Sequence, residues 1–321
     1  LFQLAESLVK STGYEEMSLS SLSTGDYSHL LELIHGLNER FREQRISLSL
    51  PSLRIDGALQ EALQDSAEVK KSGLTLAPEA GTQRLRDVIN KGVTEEDLMR
   101  TVGEAFESGW NSVKLYFMIG LPTETDEDLL GIADLARKVI GQYYALPKHK
   151  RARGLKVVVS ASTFVPKPFT PFQWAKQDSL EEIKRKQLLL RAALNIKGVS
   201  FNWHEPELSF LEACFARGDR RLGKVLRRAF ELGCLLDGWN ECYRYEKWLQ
   251  AFSDCGIDPV FYSGRERGED ELLPWDFVDI GVTKAYLLLE NHRAKLAQVT
   301  PDCREGCEGC GLRRFEGVCP V

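Results

Sequence analysis

An α/β fold is predicted for the first half of this chain, either a parallel sheet or a barrel of parallel strands ringed by helices. A mostly helical region and a cysteine-rich tail follow. Three observations predict this. Strand-like and helix-like segments alternate from residue 15 to about residue 163. Right-handed crossovers turn such an alternation into parallel strands with helices outside. Beyond residue 178 the apolar residues recur at helical spacing, and all eight cysteines fall at or after Cys214.

The elements follow in order. "LFQLAESLVKST" reads as helix from its first residue, with Leu1, Leu4, Ala5, Leu8 and Val9 at helical spacing and Gly13 closing it. Residue 1 is Leu, and no capping residue precedes it. The expectation is therefore a chain cut from a longer protein, within or just before this helix. "EEMSLSSLS" (15–23) reads as a strand, and "DYSHLLELIHGLNERF" (26–41) as a helix capped by Asp26 or Ser28. "RISLSLPSL" (45–53) alternates as a strand does, "DGALQEALQDSAEVKKSG" (56–73) is helical, and "GLTLAPEAG" (73–81) is a short strand entering a loop. "VTEEDLMRTVGEAFESG" (93–109) has Thr94 as N-cap, an acidic first turn and a closing glycine. "SVKLYFMIGLP" (112–122) is apolar enough to predict a strand buried on both faces. Thr125 caps the next helix (125–144), and "GLKVVVSASTFVPKPFTPFQW" (154–174) supplies a strand with a Pro/Phe-rich exit. Ser179 opens the helical region in a capping box with Glu182, and "KGVSFNW" (197–203) is one more short strand.

Composition excludes several classes. The chain has 321 residues, 43% hydrophobic and 28% charged, as in ordinary globular proteins. A net charge of −5 argues against a broadly basic nucleic-acid binder. No apolar run is long enough to span a bilayer, and no signal-peptide pattern opens the chain, so a cytoplasmic location and no membrane partner are expected. The length suits a division into 1–177, 178–298 and 299–321.

Parallel α/β folds bind ligands at the C-terminal ends of their strands. Here those ends read "SSLSTGD", "SLPSLR", "APEAGTQR", "MIGLPTET" and "TFVPKPFTPF". They hold no His-based metal cluster and no Ser-His-Asp set. They suit a site that holds a ligand for chemistry supplied by a cofactor.

The stretches "SGLTLAPEAGTQRLRDVINKGVTEEDL" (72–98), "VKLYFMIGLPTETDEDL" (113–129), "FVPKPFTPFQW" (164–174), "HEPELSFLEACFARGDRRLG" (204–223) and "TPDCREGCEGCG" (300–311) resemble a radical S-adenosylmethionine (SAM) family. In its full-length members a cobalamin-binding domain precedes the barrel. The resemblance implies a partial (β/α) barrel lacking its first strand, with residues 1–12 as the first helix. It implies SAM and a [4Fe–4S] cluster held upstream of residue 1, an electron donor, an unidentified substrate, and cobalamin as a further cofactor of the full-length protein. The activity implied is reductive cleavage of SAM to start radical chemistry.

The same resemblance suggests roles for the strand ends. Ser20, Ser21 and Ser23 fall where such barrels contact the SAM methionine amino group, and Ser49 and Ser52 where the ribose or carboxylate lies. Glu79, with Arg84 or Arg86 beyond it, falls at a fourth-strand polar position. Ile119 and Gly120 are similar to the segment that packs on adenine, and Phe164 and Val165 close the pocket. Each position also has a plainer reading. Glu79 can cap a helix or pair with an arginine, and "GLPTET" can be only a turn in which Thr125 caps.

Cys303, Cys307 and Cys310 have the C-x3-C-x2-C spacing of a radical SAM cluster loop, but they follow a helix rather than a strand. With Cys319 they supply four thiolates, which suit zinc or an auxiliary iron–sulfur cluster, or else a reduced tail or linker. Cys214, Cys234, Cys242 and Cys255 are expected to be buried and inert. Arg217, Arg220, Arg221, Lys224, Arg227 and Arg228 form a basic stripe over 217–228, with Leu222, Val225, Leu226 and Phe230 toward the core. The stripe is either a solvated face or a phosphate-contacting surface for RNA or a nucleotide, the alternative function for the whole chain. His204 is a structural histidine or a proton donor. An aldolase-type barrel fits poorly, because Lys114 lies early in its strand.

Overall fold

A computed structural model of the chain describes residues 1–21, 27–49, 74–315 and 317. The helix expected over 56–73 lies outside the described residues. Helix α1 (Phe2–Thr12) ends at Gly13 in the left-handed conformation (φ 70°), whose N–H returns to the Val9 carbonyl. Strands β1 (Glu16–Ser18) and β2 (Ser47–Ser49) pair in parallel across helix α2 (Leu30–Phe41). Helix α2 starts later than expected, with His29 at its N-cap and no side-chain capping bond.

The main sheet has four parallel strands in the order β3 (Leu74–Glu79), β4 (Ser112–Ile119), β5 (Lys156–Thr163) and β6 (Val199–Trp203). Helices α4 (Glu95–Glu107), α5 (Asp126–Ala145) and α6 (Leu180–Ala193) make the crossovers and pack in sequence, α4 on α5 and α5 on α6. Thr94 and Thr125 each close a reciprocal capping box, with Asp97 and Asp128 respectively. Ser179 accepts the Glu182 amide.

Strand β4 is not buried on both faces. Val113, Leu115, Phe117 and Ile119 are at most 1% exposed, while Ser112, Lys114, Tyr116 and Met118 alternate with them half-buried. The apolar set packs into one core with α4, α5 and α6. The register then places Lys114, Tyr116 and Met118 beside Val158, Ser160 and Ser162, and these beside Ser200 and Asn202, on the opposite face of the sheet. That face is polar, because no helix layer of the described chain covers it as α4–α6 cover the other.

A short helix, α3 (Gln83–Val88), follows β3 where a loop was expected, capped by Thr82, whose side chain accepts the Leu85 amide. Its entry lies backbone-to-backbone on α5. A Cβ on Gly81 would sit 2.1 Å from the Asp128 carbonyl oxygen and 2.5 Å from the Ile132 nitrogen, so glycine is required there. Asp128, 3% exposed, ties this junction together. It accepts the Thr125 amide (2.8 Å) and hydroxyl (2.9 Å), the Thr82 hydroxyl, and the Arg84 guanidinium. Burial alone would raise its pKa, but the bonds from Thr82, Thr125 and Arg84 outweigh it and hold the carboxyl below the usual range.

Helices α7 (Pro206–Ala216), α8 (Leu222–Glu231), α9 (Tyr245–Asp254) and α10 (Val260–Ser263) enclose a second core of Phe210, Cys214, Val225, Trp248, Phe252 and Tyr262. Helix α11 (Lys284–Lys295) returns to α3, where Ala294 joins Ala80, Leu85, Leu121 and Phe164. Asn90 fastens the segment after α11, giving and taking a hydrogen bond with the Thr300 backbone.

The basic stripe needs correction. Arg217 is fully buried, donating to the Ser263 carbonyl at 2.9 Å, so it presents nothing to solvent. Arg221 folds onto Asp219, and Arg227 and Arg228 pair with Glu231, with Asp254 as a second partner of Arg228. Leu226 and Phe230, expected in the core, are 49% and 66% exposed. Of the early cysteines, Cys214 and Cys234 are buried, whereas Cys242 and Cys255 are partly exposed.

Candidate functional site

The strand ends of β4, β5 and β6 meet at one edge of the main sheet. Ile119 and Thr163 are ladder partners, and the Phe164 amide donates to the Ile119 carbonyl at 2.8 Å. The His204 amide donates to the Ala161 carbonyl at 3.1 Å, which holds the residue after β6 against β5. Gln177 clamps the same edge from below α6, its side-chain amide donating to the Phe164 and Ser209 carbonyls at 3.1 Å each.

A cavity of about 400 Å³ opens on the polar face at these tips, lined by Met118, Ser162, Thr163, Phe164, Val165 and His204 among others. The Thr163 hydroxyl is buried without a hydrogen-bond partner among the described residues. By the ladder register the Thr163 side chain lies with Ile119 on the helix side of the sheet, whereas Ser162 lies with Met118 on the polar face. Phe164 stacks edge-to-face on Phe172 at 5.8 Å.

A second cavity, of about 370 Å³, lies beside the β4–α5 turn and shares Phe172 with the first. Its floor is a buried charge network. The Lys186 ammonium donates to Glu124 and Asp178 at 2.7 Å each, and the Gly120 amide donates to Glu124 Oε1 at 2.8 Å. Gly120 has φ +81°, and a Cβ there would press to 3.1 Å from the Asp178 carboxylate. Burial pushes the Glu124 pKa up against the pull of Lys186. Burial would lower that of Lys186, but Glu124 and Asp178 outweigh it and keep the ammonium charged.

The residues singled out in the sequence are distributed unevenly. Ile119, Gly120, Phe164 and Val165 come together at the adjoining tips, with Phe164 and Val165 on the cavity wall and the Ile119 side chain turned into the helix-side core. Ser20 and Ser21 are exposed beyond β1, in the two-stranded sheet, and Ser49 ends β2. Ser23 and Ser52 lie outside the described residues. Glu79 ends β3 at φ 69° and pairs with Lys91 at 3.3 Å rather than with an arginine. Arg84 turns to the β4–α5 turn, donating to the Thr123 carbonyl at 2.9 Å as well as to Asp128. Arg86 is buried and donates to the Ala80 carbonyl at 3.0 Å. In the tail, Cys303 and Cys307 are exposed and Cys310 partly so, and Cys319 lies outside the described residues. Among the described residues no three His, Cys, Asp or Glu side chains converge as a metal site requires. Sequence reasoning missed the Lys186–Glu124–Asp178 network and the Thr163 hydroxyl.

Residues 1–136 match the model of the Radical SAM superfamily. The chain is also 32% identical over 257 residues to an uncharacterized protein of Methanocaldococcus jannaschii, a stretch covering 80% of this chain and 53% of that protein. The chain thus spans about half the length of that relative. The radical SAM match runs from α1 into α5 and takes in β1–β4 of the parallel framework. It does not point to cobalamin or zinc. No helix among the described residues is long and apolar enough to cross a membrane.

The residues present fit a [4Fe–4S] cluster and SAM differently. The matched stretch contains no cysteine and the C-x3-C-x2-C triplet lies outside it; among the described residues its thiols do not converge. The strand-tip cavity, with apolar walls from Met118, Phe164, Val165 and Phe172 and polar groups from Ser162 and His204, has room for a small molecule of mixed character.

Proposed function

We propose that residues 1–177 are a partial (β/α) barrel of radical SAM type, lacking its first strand, and that the chain binds SAM as part of a radical SAM enzyme. The observation carrying this reading is the cavity of about 400 Å³ at the β4–β6 tips, within a chain whose first 136 residues match the superfamily. SAM, with its cluster, supplies the radical chemistry when both are bound. The chain's share is to hold and orient the ligand. Phe164 and Val165 give the apolar wall, Ser162 a polar contact, and the half-buried sheet face limits water. Ser20, Ser21, Ser23, Ser49, Ser52 and Glu79 are assigned to the far side of the same ligand, and Ile119 and Gly120 to the backbone of its adenine wall. Arg84 acts through the β4–α5 turn, as a positioning residue.

Equilibrium dialysis of radiolabelled SAM against the purified chain tests this reading. SAM binding is expected, with Ser162→Ala weakening it by about fivefold, the worth of one hydrogen bond. No detectable SAM binding would sink the proposal. Anaerobic iron–sulfur reconstitution followed by metal analysis of Cys→Ser variants separates the tail. Iron or zinc lost with Cys307 and Cys310 would make the tail a site of its own, and no bound metal would leave it a reduced segment.

A further inference from the structure

The second cavity goes beyond the SAM reading and does not depend on it. Its floor holds two carboxylates, Glu124 and Asp178, against a single ammonium, Lys186, all within hydrogen-bond distance. The Glu124 side chain is 1% exposed. Its Oε1 takes both the Lys186 and Gly120 donors, while its Oε2 has no partner among the described residues. Beside it the indole N–H of Trp174, a residue 3% exposed, is also unpaired. The floor therefore sets two carboxyl groups against one ammonium and leaves Glu124 Oε2 without a partner among the described residues. Burying such a group without a partner is unfavourable, and a ligand cation relieves it.

The mouth has the opposite character. Lys176 and Lys295 line it and are exposed, outnumbering the exposed Glu266 that also lines the cavity; Lys295 stands at the end of α11. Phe172 and Leu121 supply apolar walls between floor and mouth.

We propose that this cavity binds a small organic zwitterion, an amine that also carries an acid group. The ligand's ammonium sits against Glu124 Oε2 and Asp178, and its carboxylate or other acid group lies between Lys176 and Lys295. An amino-acid-like metabolite and the methionyl end of SAM share this chemistry.

Titration calorimetry of the whole chain tests the proposal with γ-aminobutyrate, and with butylamine and butyrate as its two halves. The zwitterion is expected to bind at least about tenfold more tightly than either half. Glu124→Gln keeps the side chain's shape and removes its charge, and is expected to weaken γ-aminobutyrate about tenfold while leaving butyrate unchanged. Lys295→Ala changes an exposed residue, so it keeps the test valid should Glu124→Gln not fold. It is expected to weaken γ-aminobutyrate and butyrate, and to leave butylamine as it was. Equal affinity for the three probes, or no binding of any, would overturn the proposal. Displacement of γ-aminobutyrate by SAM would identify the amine-and-acid ligand as the cofactor's own end, and simultaneous binding would identify a separate metabolite; both support the site.

Discussion

Removing the Asp128 carboxylate is the sharpest test of how the β3–α3–α5 junction is held. The Asp128→Ala variant loses the capping box of α5, worth about 1 kcal/mol. It strands the Thr82 hydroxyl, worth about another 1 kcal/mol. It also breaks the Arg84 pair, which adds no more than about 1 kcal/mol because the guanidinium is 44% exposed and screened. The total is about 3 kcal/mol. For a chain of 321 residues the unfolding entropy makes 1 kcal/mol equal to roughly 1.5 °C, so the midpoint should fall by about 4–5 °C. Differential scanning calorimetry measures it directly. The companion variant Asp128→Asn supplies a pH signature. The folded-state pKa of Asp128 lies below its unfolded value, so its contribution is complete above about pH 4–5 and is lost as pH falls through the folded pKa. The stability gap between wild type and Asp128→Asn should therefore be widest near neutrality and narrow in acid. A midpoint for Asp128→Ala within about 1 °C of wild type, or a gap unchanged with pH, would refute the reasoning.

Three further outcomes are expected. Gly81→Ala should cost at least about 3 kcal/mol in urea unfolding, because the new Cβ lands inside the backbone of α5 and neither segment can yield; a loss under about 1 kcal/mol would mean the two backbones part easily. Lys186→Met should destabilise by roughly 3–5 kcal/mol by leaving Glu124 and Asp178 facing each other, and adding Glu124→Gln to it should recover part of the loss, as a double-mutant cycle would read. The Cys214 thiol, whose pKa burial pushes up to about 12, should resist iodoacetamide in the folded chain while exposed Cys303 and Cys307 are alkylated, as peptide mass spectrometry would show.

The parts of the fold legible in the sequence are those set by neighbours along the chain. Thr94, Thr125 and Ser179 cap their helices through bonds to residues three positions on, and such contacts are written into a short window. The alternation of strands and helices was legible for the same reason. What stayed hidden depends on distant partners. "SVKLYFMIGLP" has the apolar content of a strand buried twice over, yet the face away from α4–α6 is only half-buried, and on it Lys114 and Tyr116 meet in a cation–π contact at 4.4 Å. Arg217 has the spacing of a surface stripe, but it stands one residue past α7 and is buried against the end of α10, where the Ser263 and Arg265 carbonyls receive it.

The candidate site divides along the same line. Ile119, Gly120, Phe164 and Val165 could be located because they end two strands that the chain order already makes adjacent. Glu124 could not be read as more than part of a turn, since its partner Lys186 stands 62 positions away on another helix. Thr163 was invisible for a different reason. Nothing in "SASTFVP" distinguishes a threonine bonded within the sheet from one left unpaired at its edge, and only the closed geometry of the strand tips decides which it is. Glu124 Oε2 and Trp174 Nε1, unpaired on the second cavity among the described residues, follow from partners far apart in the chain, which periodicity does not reveal.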